Sequence, residues 1–406
     1  MIRAQLSQRD DFSAKMIVNP SKTLLRDVEK TLKSVNTKPS RAFTGWMKRE
    51  KRKFDATDDT LRFLERCDFI CERSSSSSSS SSLPKLNEAK AKELFGDVEF
   101  SFKVLLVPGL WGHHYPGYYV TVRDAFRKIG VECEISRVDS EGSVKENART
   151  VAEEIEEMSS SSSSSNDSTK VLAMGHSKGG LDIAAALSLY EKRLEEKLAG
   201  FVCVQSPYGG SPIAEDLLSN KYVRLGVHLA LEAAFGQKRN SEAIQKMVKP
   251  VEDLTYRARI RFLRKHPLPE QFRDKTVCFH SKTTSKDSAM TNIALYSISQ
   301  YNEDGDGLVC CSDAEIPHTR VVRYEDEFDH VDPAFPTSFS DALVRDHREF
   351  YARENARRIK TGNQMLLPTP LGVKGAELTS QVLAVPGRVN HDTASVHLAL
   401  AHLALS

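Results

Sequence analysis

The chain of 406 residues lacks several features that define particular classes of protein. Its seven cysteines include no C-x-x-C pair, and Cys310 and Cys311 are adjacent, which is a poor arrangement for a disulfide framework. No apolar run approaches the roughly 20 residues that a membrane-spanning helix needs. The first residues contain no apolar core of the roughly 7–15 residues that is typical of secretory signals. We therefore expect an intracellular protein with reduced cysteines.

The chain also lacks a large excess of charge of either sign, since its formal net charge is only +2. Residues 1–53 are the exception, because their 14 Lys and Arg against 5 Asp and Glu give a local net charge of +9. The remainder sums to −7, which argues against a nucleic-acid partner. The basic segment is typical of a solvated leader, a transit peptide or an arm that touches anionic membranes. We expect a cytoplasmic protein, or a plastid or mitochondrial one if the segment is a transit peptide.

Two serine runs divide the chain, one over residues 74–82 and one over residues 159–165. Such runs bury too little apolar surface to become ordered. We predict a basic, partly disordered N-terminal region over 1–98, and a folded domain over 99–360 that carries the second run as a surface insertion. The tail over 361–406 has no clear period, so we expect disorder there, although its last residues, SVHLALAHLALS, also fit a short helix.

Short apolar segments alternate with helical patterns through the central domain. FSFKVLLVP (100–108), KVLAM (170–174) and GFVCVQ (200–205) are typical of buried strands. The alternation predicts a mostly parallel central sheet with helices on both faces. Helical patterns over 217–267 interrupt the strand series and predict a helical cap, or lid, over one end of the sheet. A long closing helix is predicted over 340–359.

The stretch VLAMGHSKGGLDIAAAL joins a strand pattern to a helix pattern at one serine that lies between glycines. Residues 175–179 fit G-x-S-x-G, the nucleophile elbow, in which a sharp turn lifts the serine hydroxyl above the sheet. The alternative is a glycine-rich turn with an incidental serine. The strand before the turn and the helix after it favour Ser177 as a nucleophile.

A serine nucleophile needs a base, and the base needs a carboxylate that orients it. In this arrangement the acid and then the histidine follow the serine along the chain. His318 precedes the last strand and His347 lies within the closing helix. His330 follows the last strand, at the edge of the sheet where the base must lie, and is therefore the predicted base. For the acid, the turn in NEDGDGLV favours Asp306, with Asp304 as the runner-up.

The oxyanion of an acyl-transfer reaction needs N–H donors. One is expected from the backbone of Lys178, the residue after the nucleophile. The other is expected from the loop after an early strand, PGLWG, where Leu110 is the candidate. Trp111 and His176 are weaker candidates for contact with the substrate, and packing is the alternative.

The segments KVLLVPGLWG, VLAMGHSKGG, GFVCVQSPYGGSPIAEDL, DGLV and DHVDP resemble those of α/β-hydrolases of the serine esterase and lipase type. Over residues 100–335 they are similar to a plant and algal group of α/β-hydrolases, and in part to bacterial triacylglycerol lipases. The resemblance implies the α/β-hydrolase fold, with nucleophile, acid and base at Ser177, Asp306 and His330. The bacterial lipases also imply a structural calcium ligand at Asp332. No second ligand is recognisable, so no cofactor is predicted.

The sequence thus predicts a serine hydrolase, like a lipase or carboxylesterase, that cleaves carboxylic esters through an acyl-enzyme intermediate. Its partner would be a small ester or a lipid, with peripheral contact to a lipid surface. Acyl transfer or thioester cleavage on the same scaffold is the alternative within enzymes. A non-catalytic binding protein with this fold is the alternative outside them, and it is disfavoured because all three triad candidates are present.

Overall fold

The computed structural model describes the segments that carry most of these patterns. The described residues are 43–47, 57–72, 84–96, 102–112, 117–160, 169–219, 249–284, 288, 290–335, 356 and 390–406. Within them, no helix combines the length and the apolar character that a membrane crossing requires.

The described strands form a large parallel sheet and a small antiparallel pair. In chain order they are β1 (Thr57–Asp58), β2 (Cys71–Glu72), β3 (Lys85–Leu86), β4 (Phe102–Val107), β5 (Cys133–Ile135), β6 (Lys170–His176), β7 (Leu198–Val204), β8 (Thr276–Lys282) and β9 (Arg320–Glu327). The large sheet has the order β1-β9-β8-β7-β6-β4-β5, and all its neighbouring strands are parallel. The strand order reverses between β4 and β6, and such a switch point is where open α/β sheets bind ligands at their carboxyl edge.

Helices connect and cover these strands. In chain order they are α1 (Thr60–Ile70), α2 (Glu88–Leu94), α3 (Val120–Lys128), α4 (Val144–Ser160), α5 (Lys178–Leu189), α6 (Glu191–Leu194), α7 (Pro212–Ser219), α8 (Tyr256–Leu263), α9 (Glu270–Arg273), α10 (Thr291–Tyr301), α11 (Cys311–Ala314) and α12 (Thr393–Leu405), with a 3-10 helix over Lys249–Leu254.

Both faces of the sheet are buried, as β4 illustrates. Val104 and Leu106 point into an apolar cluster formed with α1, α3 and α12, whereas Leu105 and Val107 point into a cluster formed with α4 and α5. This follows from the two-residue period of a strand, which sends successive side chains to opposite faces. The predicted parallel sheet with helices on both faces is confirmed.

The N-terminal boundary differs from the prediction, because residues within 57–72 and 84–96 pack into the core of the folded domain. β1 forms the edge of the large sheet beside β9, and α1 buries Phe63, Cys67 and Ile70. The ring of Phe63 packs at centroid distances of 5.6 Å from Phe279 and 5.7 Å from Tyr324. The spacing of the three buried residues on α1 is the apolar stripe of an amphipathic helix. This segment therefore helps to close one face of the sheet.

The expected disorder of the C-terminal tail is wrong for residues 390–406. Eleven of the thirteen residues of α12 are buried, so this helix lies inside the core. The side chain of Asp392 caps its first turn by accepting hydrogen bonds from the backbone N–H groups of Ala394 and Ser395. A helix that is covered on all sides has no polar face and hence no helical period in its sequence. For this reason the hydrophobic pattern of residues 390–406 did not distinguish a buried helix from a disordered tail.

The predicted cap over 217–267 lies partly outside the described residues, which omit 220–248. Its described end contains the 3-10 helix and α8. The cap therefore stays a prediction, as does the closing helix over 340–359, of which only Ala356 is described. α4 ends at Ser160, two residues into the second serine run.

Candidate active site

The turn between β6 and α5 places Ser177 at the carboxyl edge of the sheet. Ser177 has φ 55° and ψ −126°, which is a strained conformation for any residue with a side chain. The glycines around it are required by close backbone contacts. A Cβ atom on Gly175 would lie 2.5 Å from the backbone nitrogen of Gly180, and one on Gly179 would lie 2.1 Å from the carbonyl oxygen of Val107. The turn therefore packs directly against β4.

His330 and Asp306 meet Ser177 in a continuous hydrogen-bonded series. The Nε2 atom of His330 lies 3.0 Å from the Oγ atom of Ser177, and its Nδ1 atom lies 2.9 Å from Oδ2 of Asp306. The other carboxylate oxygen of Asp306 accepts hydrogen bonds from the backbone N–H groups of Leu308 and Val309, each at 2.9 Å. Asp306 and His330 are buried, while Ser177 is half-buried. The three predicted side chains are thus brought together.

The contacts of Asp306 also define the tautomer of His330. A carboxylate only accepts hydrogen bonds, so Nδ1 of His330 carries the proton that points at Asp306. Nε2 then has a free lone pair, and the hydroxyl of Ser177 donates to it. A second bond, from the backbone N–H of His330 to the backbone oxygen of Asp306 at 2.9 Å, keeps the two loops in register. The imidazole is therefore oriented to accept a proton from the serine.

Two of the alternatives, Asp304 and His318, take no part in this series. The side chain of Asp304 is exposed, and its backbone oxygen accepts a hydrogen bond from the N–H of Cys311. His318 lies in the turn before β9, at the amino end of that strand. His347 lies outside the described residues.

The loop after β4 lies against Ser177. A Cβ atom on Gly109 would lie only 2.8 Å from the Cβ atom of Ser177, so the two backbones nearly touch. Leu110 follows Gly109, and Lys178 follows Ser177. Within the described part of the chain, neither the Leu110 N–H nor the Lys178 N–H donates to an acceptor. Two unused backbone donors therefore come from the two segments that flank the serine hydroxyl.

The side chain of Lys178 points away from the site into the core. Its ammonium group lies 3.0 Å from both carboxylate oxygens of Asp182, and neither residue has any exposed surface. Asn147 donates a further hydrogen bond of 2.9 Å to Asp182. Burial raises the pKa of Asp182 to about 6, although Lys178 and Asn147 oppose that rise. Only the backbone of Lys178 faces Ser177.

His176 is not available to a substrate, which contradicts its predicted contact. It is 2% exposed, and its ring lies beneath that of His330 at a centroid distance of 4.8 Å. Both ring nitrogens have protein partners: Nδ1 lies 2.5 Å from the hydroxyl of Tyr118 and Nε2 lies 3.3 Å from Oε1 of Gln205. The half-buried Trp111 packs at the edge of the cluster under α4 and α5, and its contact with a substrate stays a prediction.

The predicted calcium ligand already has a partner. Oδ2 of Asp332 accepts a hydrogen bond of 2.6 Å from the backbone N–H of Asp329. Within the described residues, no three His, Cys, Asp or Glu side chains are grouped in a way that could hold a metal ion. Neither the calcium ion nor the expected absence of a cofactor gains support from these contacts, and both stay predictions.

No sequence motif predicted Tyr118 and Gln205. Tyr118 follows the PGLWG loop, and Gln205 follows β7 with a φ of 44°. The available signal was a polar residue at the end of an apolar strand, in GFVCVQ. Such a residue lies at the same carboxyl edge of the sheet as Ser177.

Comparisons with known proteins agree with this architecture. No protein-family model and no curated protein matches the chain. The crystal structure of the metagenomic carboxyl esterase MGS0156 matches with a TM-score of 0.55 and 18% sequence identity, over 86% of this chain and 92% of that chain. The chain has the α/β-hydrolase fold.

Two lipases match the chain over a shorter span. Mature lipase BlEst2 from Bacillus licheniformis has a TM-score of 0.43 and 19% identity, over 56% of this chain and 84% of its own. Lipase 1 from Pelosinus fermentans has a TM-score of 0.43 and 11% identity, over 57% of this chain and 93% of its own.

Proposed function

We propose that the protein is a serine hydrolase that cleaves carboxylic esters. The observation that carries the proposal is the series of hydrogen bonds from Ser177 through His330 to Asp306, at a strained turn on the carboxyl edge of the sheet. A hydroxyl, an imidazole and a carboxylate in this order are the groups that acyl transfer by a serine requires. The fold shared with a carboxyl esterase supports an ester as the substrate class.

In the first half of the reaction, Nε2 of His330 takes the proton from Ser177 as Oγ attacks the carbonyl carbon of the ester. Asp306 accepts a hydrogen bond from Nδ1 throughout and stabilises the imidazolium that forms. The carbonyl oxygen becomes an oxyanion, which the backbone N–H groups of Leu110 and Lys178 stabilise. The tetrahedral intermediate collapses, the alcohol leaves with the proton from His330, and an acyl-enzyme remains.

In the second half, water repeats the attack on the acyl-enzyme. His330 accepts a proton from the water, the oxyanion forms at the same donors, and the carboxylic acid leaves as the proton returns to Ser177. A small ester or a lipid is the proposed substrate. The identity of the acyl chain depends on the cap segment over 217–267, and peripheral contact with a lipid surface belongs to the same proposal.

Rates on nitrophenyl esters, in an acyl series from acetate to palmitate, test this proposal. We expect the wild type to hydrolyse at least one ester and Ser177→Ala to lose at least about 10³-fold in kcat/KM. His330→Ala should lose a similar factor, and the double variant should lose no more than either alone, because the groups act as a unit.

The matched control is Ser188→Ala on the same helix. The hydroxyl of Ser188 donates to the backbone oxygen of Ala184 and lies outside the hydrogen-bonded series, so activity should stay within about twofold of the wild type. Equal activity of wild type and Ser177→Ala would overturn the proposal. So would a folded wild type that hydrolyses no ester of the series, a result that favours a binding protein.

A further inference from the structure

A second buried series of hydrogen bonds lies beneath the candidate site. Tyr118, His176 and Gln205 connect the loop after β4 with the loop that carries His330. The backbone N–H of Gly109 donates to the hydroxyl of Tyr118 at 2.8 Å, and that hydroxyl lies 2.5 Å from Nδ1 of His176. Nε2 of His176 faces Oε1 of Gln205.

Gln205 completes the connection on the side of the base. Its Nε2 atom donates to the backbone oxygen of Asp329 at 3.1 Å and also to the hydroxyl of Ser281. Ser281 in turn donates to the backbone oxygen of Phe328 at 2.6 Å. The two residues that precede His330 are therefore held by this series.

The direction of each bond follows from the donors that are present. Because Gly109 donates to Tyr118, the single phenolic proton of Tyr118 is free to donate to Nδ1 of His176. Because the NH₂ group of Gln205 faces Asp329 and Ser281, its Oε1 atom faces His176, and an amide oxygen only accepts. His176 must then be neutral, with its one proton on Nε2. Every donor is then used once, whereas a second proton on His176 would make Nδ1 a donor to Tyr118 and leave the phenolic proton without an acceptor in this series.

The electrostatic surroundings keep His176 in this state. Burial lowers the pKa of His176 well below its usual value and the nearby His330 lowers it further, although the hydrogen bond with Gln205 opposes that fall. During the proposed reaction His330 becomes a cation, with its ring at a centroid distance of 4.8 Å from that of His176. A neutral His176 can keep its hydrogen bonds while its neighbour gains and loses a proton.

We propose that His176 is a positioning residue that couples the loop of the oxyanion donor to the loop of the base through Tyr118 and Gln205. This inference rests on the proposed function, because the coupling matters only if Leu110 and His330 act on one substrate. Its role is to hold the backbone donor after Gly109 and the imidazole of His330 at a constant separation as charge moves between them. Both groups act most strongly in the transition state, so the loss should fall on kcat.

The kinetic test compares Tyr118→Phe and His176→Phe with the wild type on a hydrolysed ester. Each variant keeps a ring of similar size and removes hydrogen bonds, so we expect kcat to fall by about 10–100-fold with KM within about twofold. The double variant should lose no more than His176→Phe alone, since the two residues belong to one series. His176→Asn, whose carbonyl oxygen can accept from Tyr118, should recover part of the loss.

The control is His391→Leu, which replaces another buried histidine whose partners are Tyr324 and Asp68, and it should leave kcat within about twofold of the wild type. Wild-type kcat in folded Tyr118→Phe and His176→Phe would overturn the inference. So would losses that add as independent effects, because they would show that the two residues are not coupled.

A second readout does not depend on activity. In protein labelled with ¹⁵N-histidine, with His176→Phe used for assignment, the His176 signals should be those of a neutral ring with its proton on Nε2 between about pH 5 and pH 9. A His176 that titrates in this range, or that carries its proton on Nδ1, would overturn the inference. If the wild type hydrolyses no ester, the proposed function fails, and these signals still report the hydrogen-bonded series itself.

Discussion

The two faces of the sheet are closed in different ways. The face that carries the elbow helix, here the elbow face, is covered by α4 and α5, which are joined to β6 along the chain. The opposite face, here the terminal face, is covered by α3 together with α1 and α12, which come from the two ends of the chain. Local sequence patterns therefore describe the elbow face well. The terminal face depends on contacts between segments that lie more than 300 residues apart.

The two faces also bury different kinds of polar group. The elbow face buries the ion pair of Lys178 with Asp182. The terminal face buries His397, whose Nδ1 donates to the backbone oxygen of Thr393 at 2.9 Å. Its Nε2 atom has no hydrogen-bond partner among the described residues. One face thus holds a compensated charge, and the other holds a neutral ring that disfavours protonation.

The largest expected effect comes from breaking the ion pair of the elbow face. Asp182→Asn leaves the ammonium group of Lys178 buried without a counter-charge, so the free energy of unfolding should fall by about 3–5 kcal/mol. Urea unfolding at neutral pH measures this change. The control is the double variant Lys178→Met with Asp182→Leu, which removes both charges and should recover most of the loss. A loss below about 1 kcal/mol in Asp182→Asn would contradict a buried, compensated pair.

A matched pair of leucines compares the apolar packing of the two faces. Leu400 in α12 and Leu187 in α5 have no exposed surface. Truncation of either to alanine should lower the free energy of unfolding by roughly 2–5 kcal/mol, because each leaves a cavity in a packed core. Leu61→Ala on α1, where the side chain is 77% exposed, should change it by less than about 0.5 kcal/mol. If Leu400→Ala behaved like Leu61→Ala, α12 would not be part of the core.

The smallest expected effect is the loss of stability at acidic pH that comes from His397 on the terminal face. Burial lowers the pKa of His397 from 6.5 to about 4, so between these values the unfolded chain binds a proton that the folded protein does not. This contribution to stability is complete above about pH 6.5 and is lost as the pH falls towards 4. His397→Leu removes this contribution. Between about pH 4 and pH 6.5, the free energy of unfolding of the variant should therefore change with pH less steeply than that of the wild type, by about 1.4 kcal/mol per pH unit. Parallel pH profiles of variant and wild type would contradict the assignment.

How much the sequence could predict depends on how local each signal is. The turn at Ser177 is a local pattern, because Gly175 and Gly179 are required by contacts within two adjacent strands and one helix. His330 could be predicted from its place after β9, since strand ends meet at one edge of a parallel sheet. Both residues could be predicted from the order of strands and helices along the chain, and the side chains of Ser177 and His330 lie within hydrogen-bonding distance in the structure.

The terminal face and the buried series could not be predicted in this way. α12 has no polar face, so its sequence contains no helical period that distinguishes it from an apolar tail. The contacts of His176 depend on Tyr118 and Gln205, which lie on different elements and share no motif. His176, next to Ser177 in the sequence, was therefore predicted to contact substrate, whereas it lies in the core against the ring of His330.

The most direct test of the central claim is the site of covalent modification by a fluorophosphonate, read by mass spectrometry of intact protein and of its peptides. An activated serine attacks this reagent, so we predict one adduct per chain, on the peptide that contains Ser177. We predict no adduct in Ser177→Ala and much slower labelling in His330→Ala. A folded wild type that forms no adduct, or that forms its adduct on another residue, would contradict a nucleophile at Ser177.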